Sequence, residues 1–456
     1  MHTYLIRKPY FLVPMVSVLL VALVSGFVPR AADAQMPAVP MDGMVCTPGT
    51  GPMMSPTFAL TTKTGYIQTA DANVLYMWGF SEGANPYQYP GPVLCVDEGA
   101  MVTVILNNTL PTPVSIIFPG QEDVMAEGAK AQPQFDGLGN LTSLANAAPP
   151  GGSVTYTFTA SHPGTFIYES GTNSAIQVPM GLFGALVVRP TAGQYFVYDD
   201  AASAQTSEFN HGTPMASGEY LVLQSEIDPY LSMAAEKWVE QGQPFNFDLK
   251  NYHPRYWLLN GRGFPDTLAP NYASWLPSQP YGALAHIQPT NDNPADPYYN
   301  PLYYLERFAN VSSQPLPFHP HGRNALVIGR DAQPLRGAAG EDLSGETFSL
   351  VAASGQTYDA LFHYHNAESY DPNTNPIPVT DPGWQNLTYG MYYSGSPYLG
   401  ETGAIPPGQS TMSECGEYYI IAHNHALHQL TSWGVVMTGP GTFLRIDPPG
   451  GCPPMP

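Results

Sequence analysis

Pro92-Val-Leu-Cys-Val-Asp-Glu-Gly-Ala-Met-Val-Thr-Val-Ile-Leu-Asn107 holds two short apolar runs, Val93–Val96 and Met101–Asn107, parted by a polar turn. Runs of this length, rich in β-branched residues and closed by turn residues, read as strands and not as helices. The same signature recurs outward along the chain in two blocks. The first adds Val114–Phe118, Ser153–Phe158, Gly164–Tyr168 and Gly184–Val188. The second holds Tyr220–Leu223, Tyr256–Leu259, Tyr303–Phe308, Ala325–Ile328, Phe348–Val351, Tyr358–Phe362 and Tyr418–Ala422. Strands at this spacing predict an all-β protein of two sandwiches, over 56–192 and 218–448, joined by a polar linker at 193–217. Residues 366–414, rich in Pro, Gly, Asn and Tyr, are too long for an ordinary loop and read as an insertion in the second sandwich.

Composition agrees. Gly 44 and Pro 49 supply about a fifth of the 456 residues, and 29 Tyr argue against disorder. Residues 1–34 carry a charged start at Arg7 and Lys8, an apolar stretch from Phe11 to Val28, and Ala32-Asp-Ala34 before Gln35. That is the pattern of a cleavable export signal. The mature chain is then expected in the periplasm or outside the cell, opening with an arm at 35–55, closing with a tail at 449–456, and free of the membrane. Losing Arg7, Lys8, Arg30 and Asp33 moves the net charge from −21 to −23. So acidic a chain has no means of neutralising phosphates, which argues against a nucleic-acid partner. A second copy of the chain or a cell-surface component remains open as a partner. The four cysteines, Cys46, Cys95, Cys415 and Cys452, read as two disulfides. Proximity favours Cys46–Cys95 and Cys415–Cys452, and Cys46–Cys452 is the competitor.

Four motifs share one family resemblance. The 92–107 stretch resembles the start of the first cupredoxin domain of the multicopper oxidases, and Gln177-Val-Pro-Met-Gly-Leu-Phe-Gly-Ala-Leu-Val-Val-Arg-Pro190 resembles that domain's end. Leu259-Asn-Gly-Arg-Gly-Phe-Pro-Asp266 followed by Arg307-Phe-Ala-Asn310 resembles the opening of a later domain. Glu417-Tyr-Tyr-Ile-Ile-Ala-His-Asn-His-Ala-Leu-His428 resembles the last copper motif. The resemblance covers roughly residues 60–448 and implies two cupredoxin-like Greek-key sandwiches. It also implies copper, held in the family by four His-x-His pairs and fed electrons through a blue copper on a cysteine.

This chain keeps half of that set. His319 and His321 match the third pair, and His423 and His425 the fourth. Alternation along a strand sends residues i and i+2 to one face, so each pair can converge on a metal that imidazole suits. The first pair falls on Ile117 and Pro119, and the second on Glu169 and Gly171, of which only Glu169 carries a donor. The blue-copper cysteine is Asn424, and the two histidines expected beside it are Leu316 and Gln429. His428 stands one position early for that role.

A further pair, His363 and His365, ends Tyr358–Phe362. In a cupredoxin sandwich that strand runs antiparallel to Tyr418–Ala422, so the pair is expected to lie away from His423. There it packs at the surface or against the insertion, with a second metal site as the alternative reading. His162, His211, His253 and His286 stand alone and read as structural. The resulting expectation is a copper-binding protein on a His-only site, either a simple oxidoreductase or a copper-handling protein. The competing reading is a binding or surface-assembly module without catalysis.

Overall fold

The computed structural model describes residues 42–199, 207–212, 217–365, 417–434 and 438–451. The export signal, the insertion at 366–414, Cys415 and Cys452 lie outside them.

Alternating burial shapes the first sandwich. Met101–Asn107 buries every second residue, so one face of the strand packs inward and the other meets water. Its strands are β1 (Thr57–Gln68), β2 (Val74–Glu82), β3 (Leu94–Asp97), β4 (Met101–Asn107), β5 (Ser153–Thr159), β6 (Gly164–Glu169) and β7 (Phe183–Arg189). One sheet runs β2-β1-β4-β5 and the other β3-β7-β6, with Thr47–Pro48 added beside β3. Phe58, Trp78, Val104, Tyr156 and Leu186 fill the space between them. The expected strand Val114–Phe118 is not continuous: Val114 and Ile117 make only isolated bridges, to Ala148 and Glu169.

The second sandwich repeats the plan. It comprises β8 (Glu219–Ile227), α1 (Pro229–Val239), β9 (Tyr256–Leu259), β10 (Ala285–Ile287), β11 (Tyr304–Asn310), β12 (Leu316–Pro320), β13 (Ala325–Arg330), β14 (Leu350–Ala352), β15 (Thr357–Phe362), β16 (Tyr418–Asn424) and β17 (Gly441–Ile446). Its sheets run β9-β8-β11-β15-β13 and β10-β17-β16-β12-β14. The parallel pairs β1·β4 and β3·β7 of the first sandwich recur as β8·β11 and β10·β17. Helix α1 is started by Asp228, whose carboxylate accepts from the backbone amides of Tyr230 and Leu231, with Pro229 at the first turn.

The sandwiches share an apolar seam that includes Ile167, Val187, Leu221, Leu223 and Ala309. A buried ionic network crosses it. Arg307, fully buried, donates to Glu219, to Asp359 at 3.0 Å and to Thr165 at 2.9 Å. Tyr198 donates to Asp359 at 2.7 Å, and Arg189 grips Glu219 at 2.7 and 2.6 Å. Burial alone would raise the Glu219 carboxyl, but Arg189 and Arg307 hold it down at about 2. The segment expected as a solvated linker is packed in part: Val197, Tyr198 and Phe209 are buried with Leu305 and Leu361. Cys46 and Cys95 form a disulfide with Cα atoms 5.5 Å apart, which rules out the Cys46–Cys452 alternative.

Glu306 is the exception in the second core. Alternation along β11 puts it on the face of Tyr304 and Phe308, across from Tyr220 and Ala360. Its Oε2 finds no hydrogen-bond partner among the described groups, and burial pushes the carboxyl up to about 8. A carboxyl raised above its unfolded value of 4.5 destabilises the fold wherever only the unfolded chain ionises. Stability should therefore fall as pH rises from about 4.5 to 8, by on the order of 5 kcal/mol, and flatten above. Glu306→Gln should remove that part of the slope in urea unfolding measured across the range. An unchanged slope would show that Glu306 is partnered in solution.

Candidate metal centre

The centre is built by register. β12 and β16 run antiparallel with Phe318 opposite Asn424, His319 opposite His423 and Pro320 opposite Ala422. The ladder continues beyond the strand ends, with His321 N–H donating to Ile421 O at 3.0 Å and His425 N–H to Pro317 O at 2.7 Å. Phe318, Ala422 and Asn424 point into the core. His319 and His423 are half-buried on the opposite face, and His321 and His425 are exposed there. All four expected histidines are thus brought together. Gly322 lets the chain turn after His321: its φ is +79°, and a Cβ there would meet Ile420 Cδ1 at 2.8 Å.

Ring centroids are 4.6 Å apart for His319–His321, 5.1 Å for His321–His423, 5.1 Å for His319–His425 and 5.7 Å for His423–His425. His423 Nδ1 donates to the Asn424 carbonyl at 3.0 Å, and His319 Nδ1 to the Phe348 carbonyl. Both bonds fix the tautomer and leave the Nε2 lone pair facing the cluster, as an outer hydrogen bond does for a metal-bound imidazole. His321 Nε2 lies 3.1 Å from His423 Nε2. Two nitrogens that close need a proton or a cation between them. Burial, followed by the neighbouring imidazoles, holds His321 below its ordinary range; burial with His319 and His425 does the same for His423. Both are therefore neutral and able to ligate at pH 7.

Among the described residues, no three ligating side chains yet converge on one point. Two imidazoles already do, and rotation of the exposed His321 and His425 costs little. The donor set fits a transition-metal ion of the kind imidazole favours. Beside it lies an open depression of about 440 Å³ bordered by His319, His321, Arg323 and Glu346. Arg323 and the carbonyl of Phe348 carried no signal in the sequence.

The first sandwich keeps the same frame without its ligands. Ile117 and Glu169 exchange backbone hydrogen bonds at 2.8 and 3.2 Å, the counterpart of His319 opposite His423. Burial pushes Glu169 up to about 7, which weakens it as an anionic ligand. A Cβ on Gly171 would stand 2.7 Å from Ile117 Cγ2, so that position has no room for an imidazole as packed.

Where a cysteine would hold blue copper, an amide network stands instead. Asn424, fully buried, donates to Gln224 at 3.0 Å and to Gln429, and its Oδ1 accepts from the Ala426 amide at 2.7 Å. Gln429 donates on to Gln314 at 2.9 Å. His428 packs edge-on against Trp257, 5.4 Å between centroids, with its Nε2 3.3 Å from Gln314 Oε1.

A family model described as multicopper oxidase matches residues 82–193. The chain is 25% identical over 392 residues to an L-ascorbate oxidase of Brassica rapa subsp. pekinensis, covering 78% of this chain and 61% of that one. It is 25% identical over 303 residues to an L-ascorbate oxidase of Cucurbita pepo var. melopepo, covering 63% and 48%. Over residues 82–193 the chain is thus similar to the multicopper oxidase family. It spans about half to three-fifths of the length of those plant relatives. The blue copper oxidase from Nitrosomonas europaea shares its fold, with a TM-score of 0.52 at 16% identity and 86% of each chain covered. In this chain, two of the four positions where that family carries His-x-His hold histidine.

Among the described residues no helix is long and apolar enough to cross a membrane. The pair His363 and His365 departs from expectation. The chain leaving β15 lies against the loop after His321, where a Cβ on Gly322 would meet Tyr364 Cε1 at 3.2 Å. Tyr364, between the two histidines, donates to the carbonyl of His321 at 2.8 Å.

Proposed function

We propose that this chain is an exported copper-binding protein of the multicopper oxidase family that holds its metal on His319, His321, His423 and His425 alone. It handles copper, or runs simple one-electron chemistry on it, without reducing oxygen to water. The observation that carries this reading is the register of β12 against β16, which sets His319 opposite His423 and brings His321 Nε2 to 3.1 Å from His423 Nε2. Bound there, copper supplies a Lewis-acid or one-electron centre. The protein's own part is to fix two tautomers through backbone carbonyls and to hold His321 and His423 below their ordinary range by burial. Exposed His321 and His425 leave the site open to a small donor or to a copper carrier.

Oxygen reduction to water needs a complete cluster and a path for electrons into it. Ile117, Pro119 and Gly171 offer no donor, and Asn424, Gln429 and Leu316 offer no blue-copper site. Every copy of the chain lacks the same residues, so association with a second copy restores none of them.

The test is a Cu(II) titration of mature protein followed by spin resonance. His319→Ala/His321→Ala should remove the tightly held ion, lowering affinity by at least a hundredfold, because one pair alone supplies too few ligands. Full retention of that ion would move the site elsewhere. Failure of the native chain to bind copper would favour a non-catalytic binding module.

A further inference from the structure

His363 and His365 take no part in the four-histidine centre, yet the fold seats them against its loop. Tyr364 faces inward and is bonded to the His321 carbonyl. Alternation therefore sends His363 and His365 together to the other side of the chain. Their ring centroids are 5.0 Å apart and their planes lie at 77°. His363 is stacked on Tyr303, with centroids 4.1 Å apart and planes within 10°, which fixes the ring's orientation. Its Nδ1 is enclosed by protein and has no hydrogen-bond partner among the described groups. Enclosed ring nitrogens in native proteins are almost always satisfied, by protein or by something the protein binds. His365 is the exposed member, its Nδ1 within 3.3 Å of Thr290 Oγ1. Arg323, Glu346 and Asp292 are the charged groups within electrostatic reach of His363. Arg323 and Glu346 also border the depression at His319 and His321.

We propose that His363 and His365 form a second metal site, a two-imidazole site suited to copper in its monovalent state, across the 321–324 loop from the four-histidine centre. The choice of copper rests on the function proposed above; the site itself rests on the geometry of the pair. Imidazole suits copper, and two ligands without an adjoining thiolate or an obligate carboxylate fit an ion content with low coordination. One ligand is fixed by stacking and the other is exposed, the arrangement of a site that loads from solvent.

The experiment is an anaerobic Cu(I) titration against a colorimetric chelator, using native protein, His319→Ala/His321→Ala and His363→Phe/His365→Ala. The phenylalanine preserves the stack on Tyr303, and thermal unfolding checks that each variant is folded. Native protein should take up two equivalents and each double variant one. His365→Ala alone, a change at an exposed residue, should weaken one equivalent at least tenfold and leave unfolding unchanged. In His319→Ala/His321→Ala, X-ray absorption of the remaining ion should report a low-coordinate nitrogen environment. If His363→Phe/His365→Ala binds as many equivalents as native protein with unchanged affinity, the second site does not exist. If that variant loses an ion while His319→Ala/His321→Ala loses none, the second site stands and the four-histidine reading falls.

Discussion

Loaded with Cu(II), the protein should be nearly colourless and show a tetragonal spin-resonance signal from nitrogen ligands. It should oxidise phenols with oxygen at rates orders of magnitude below a laccase. Intense blue colour comes from a copper–thiolate bond. At the position where the family carries that thiolate, Asn424 is fully buried and bonded to Gln224 and Gln429. Asn424→Cys alone should restore neither colour nor turnover. Leu316 and Gln429 leave the new thiolate without imidazole partners, and the Gln224 and Gln429 oxygens lose their donor. Each buried acceptor left unpaired costs about 1–3 kcal/mol, so the variant should also be less stable. Measuring visible absorption and oxygen uptake with a one-electron donor checks both halves. A blue native protein would mean that another residue supplies a sulfur ligand.

Asp359→Ala should lower the free energy of unfolding by about 3–5 kcal/mol, the cost of removing one partner from a buried ion pair, with Arg307 left to Glu219 alone. Asp359 receives Arg307, Thr165 and Tyr198 at the seam between the sandwiches, and Arg307 has no exposure through which water could replace it. The double change Arg307→Met/Asp359→Leu should recover most of the loss, because Glu219 keeps its two-pronged bond to Arg189. Urea unfolding of the three proteins decides it. A loss below about 1 kcal/mol in Asp359→Ala would show that the apolar seam holds the sandwiches together without the network.

The sequence by itself determined what is local or periodic. Period-two burial in Met101–Asn107 follows from side-chain alternation, and the recurrence of short apolar runs in two blocks made the all-β plan and its doubling legible. The spacing His319-x-His321 and His423-x-His425 put each pair on one face for the same reason. The Cys46–Cys95 bridge followed from proximity along the chain. Only the tertiary structure decided what depends on pairing between distant segments. The bounds and pairing of the strand carrying His319 were not legible, since Leu316–Pro320 holds two prolines and is held in place by β14 and β16. The expected strand at Val114–Phe118 dissolved into isolated bridges. Sheet membership is set by hydrogen bonds between residues far apart in sequence, so β15 and β16 could not be assigned to separate sheets from their own residues. The Tyr364 bond to the His321 carbonyl, which places His363 and His365 by that loop, was likewise out of reach of the sequence. Burial of Glu306 was equally hidden: a glutamate between Leu305 and Arg307 looks solvated until β8 and β15 close over both its sides. Alternation is a property of one strand, whereas the environment of each face belongs to whatever the fold lays against it.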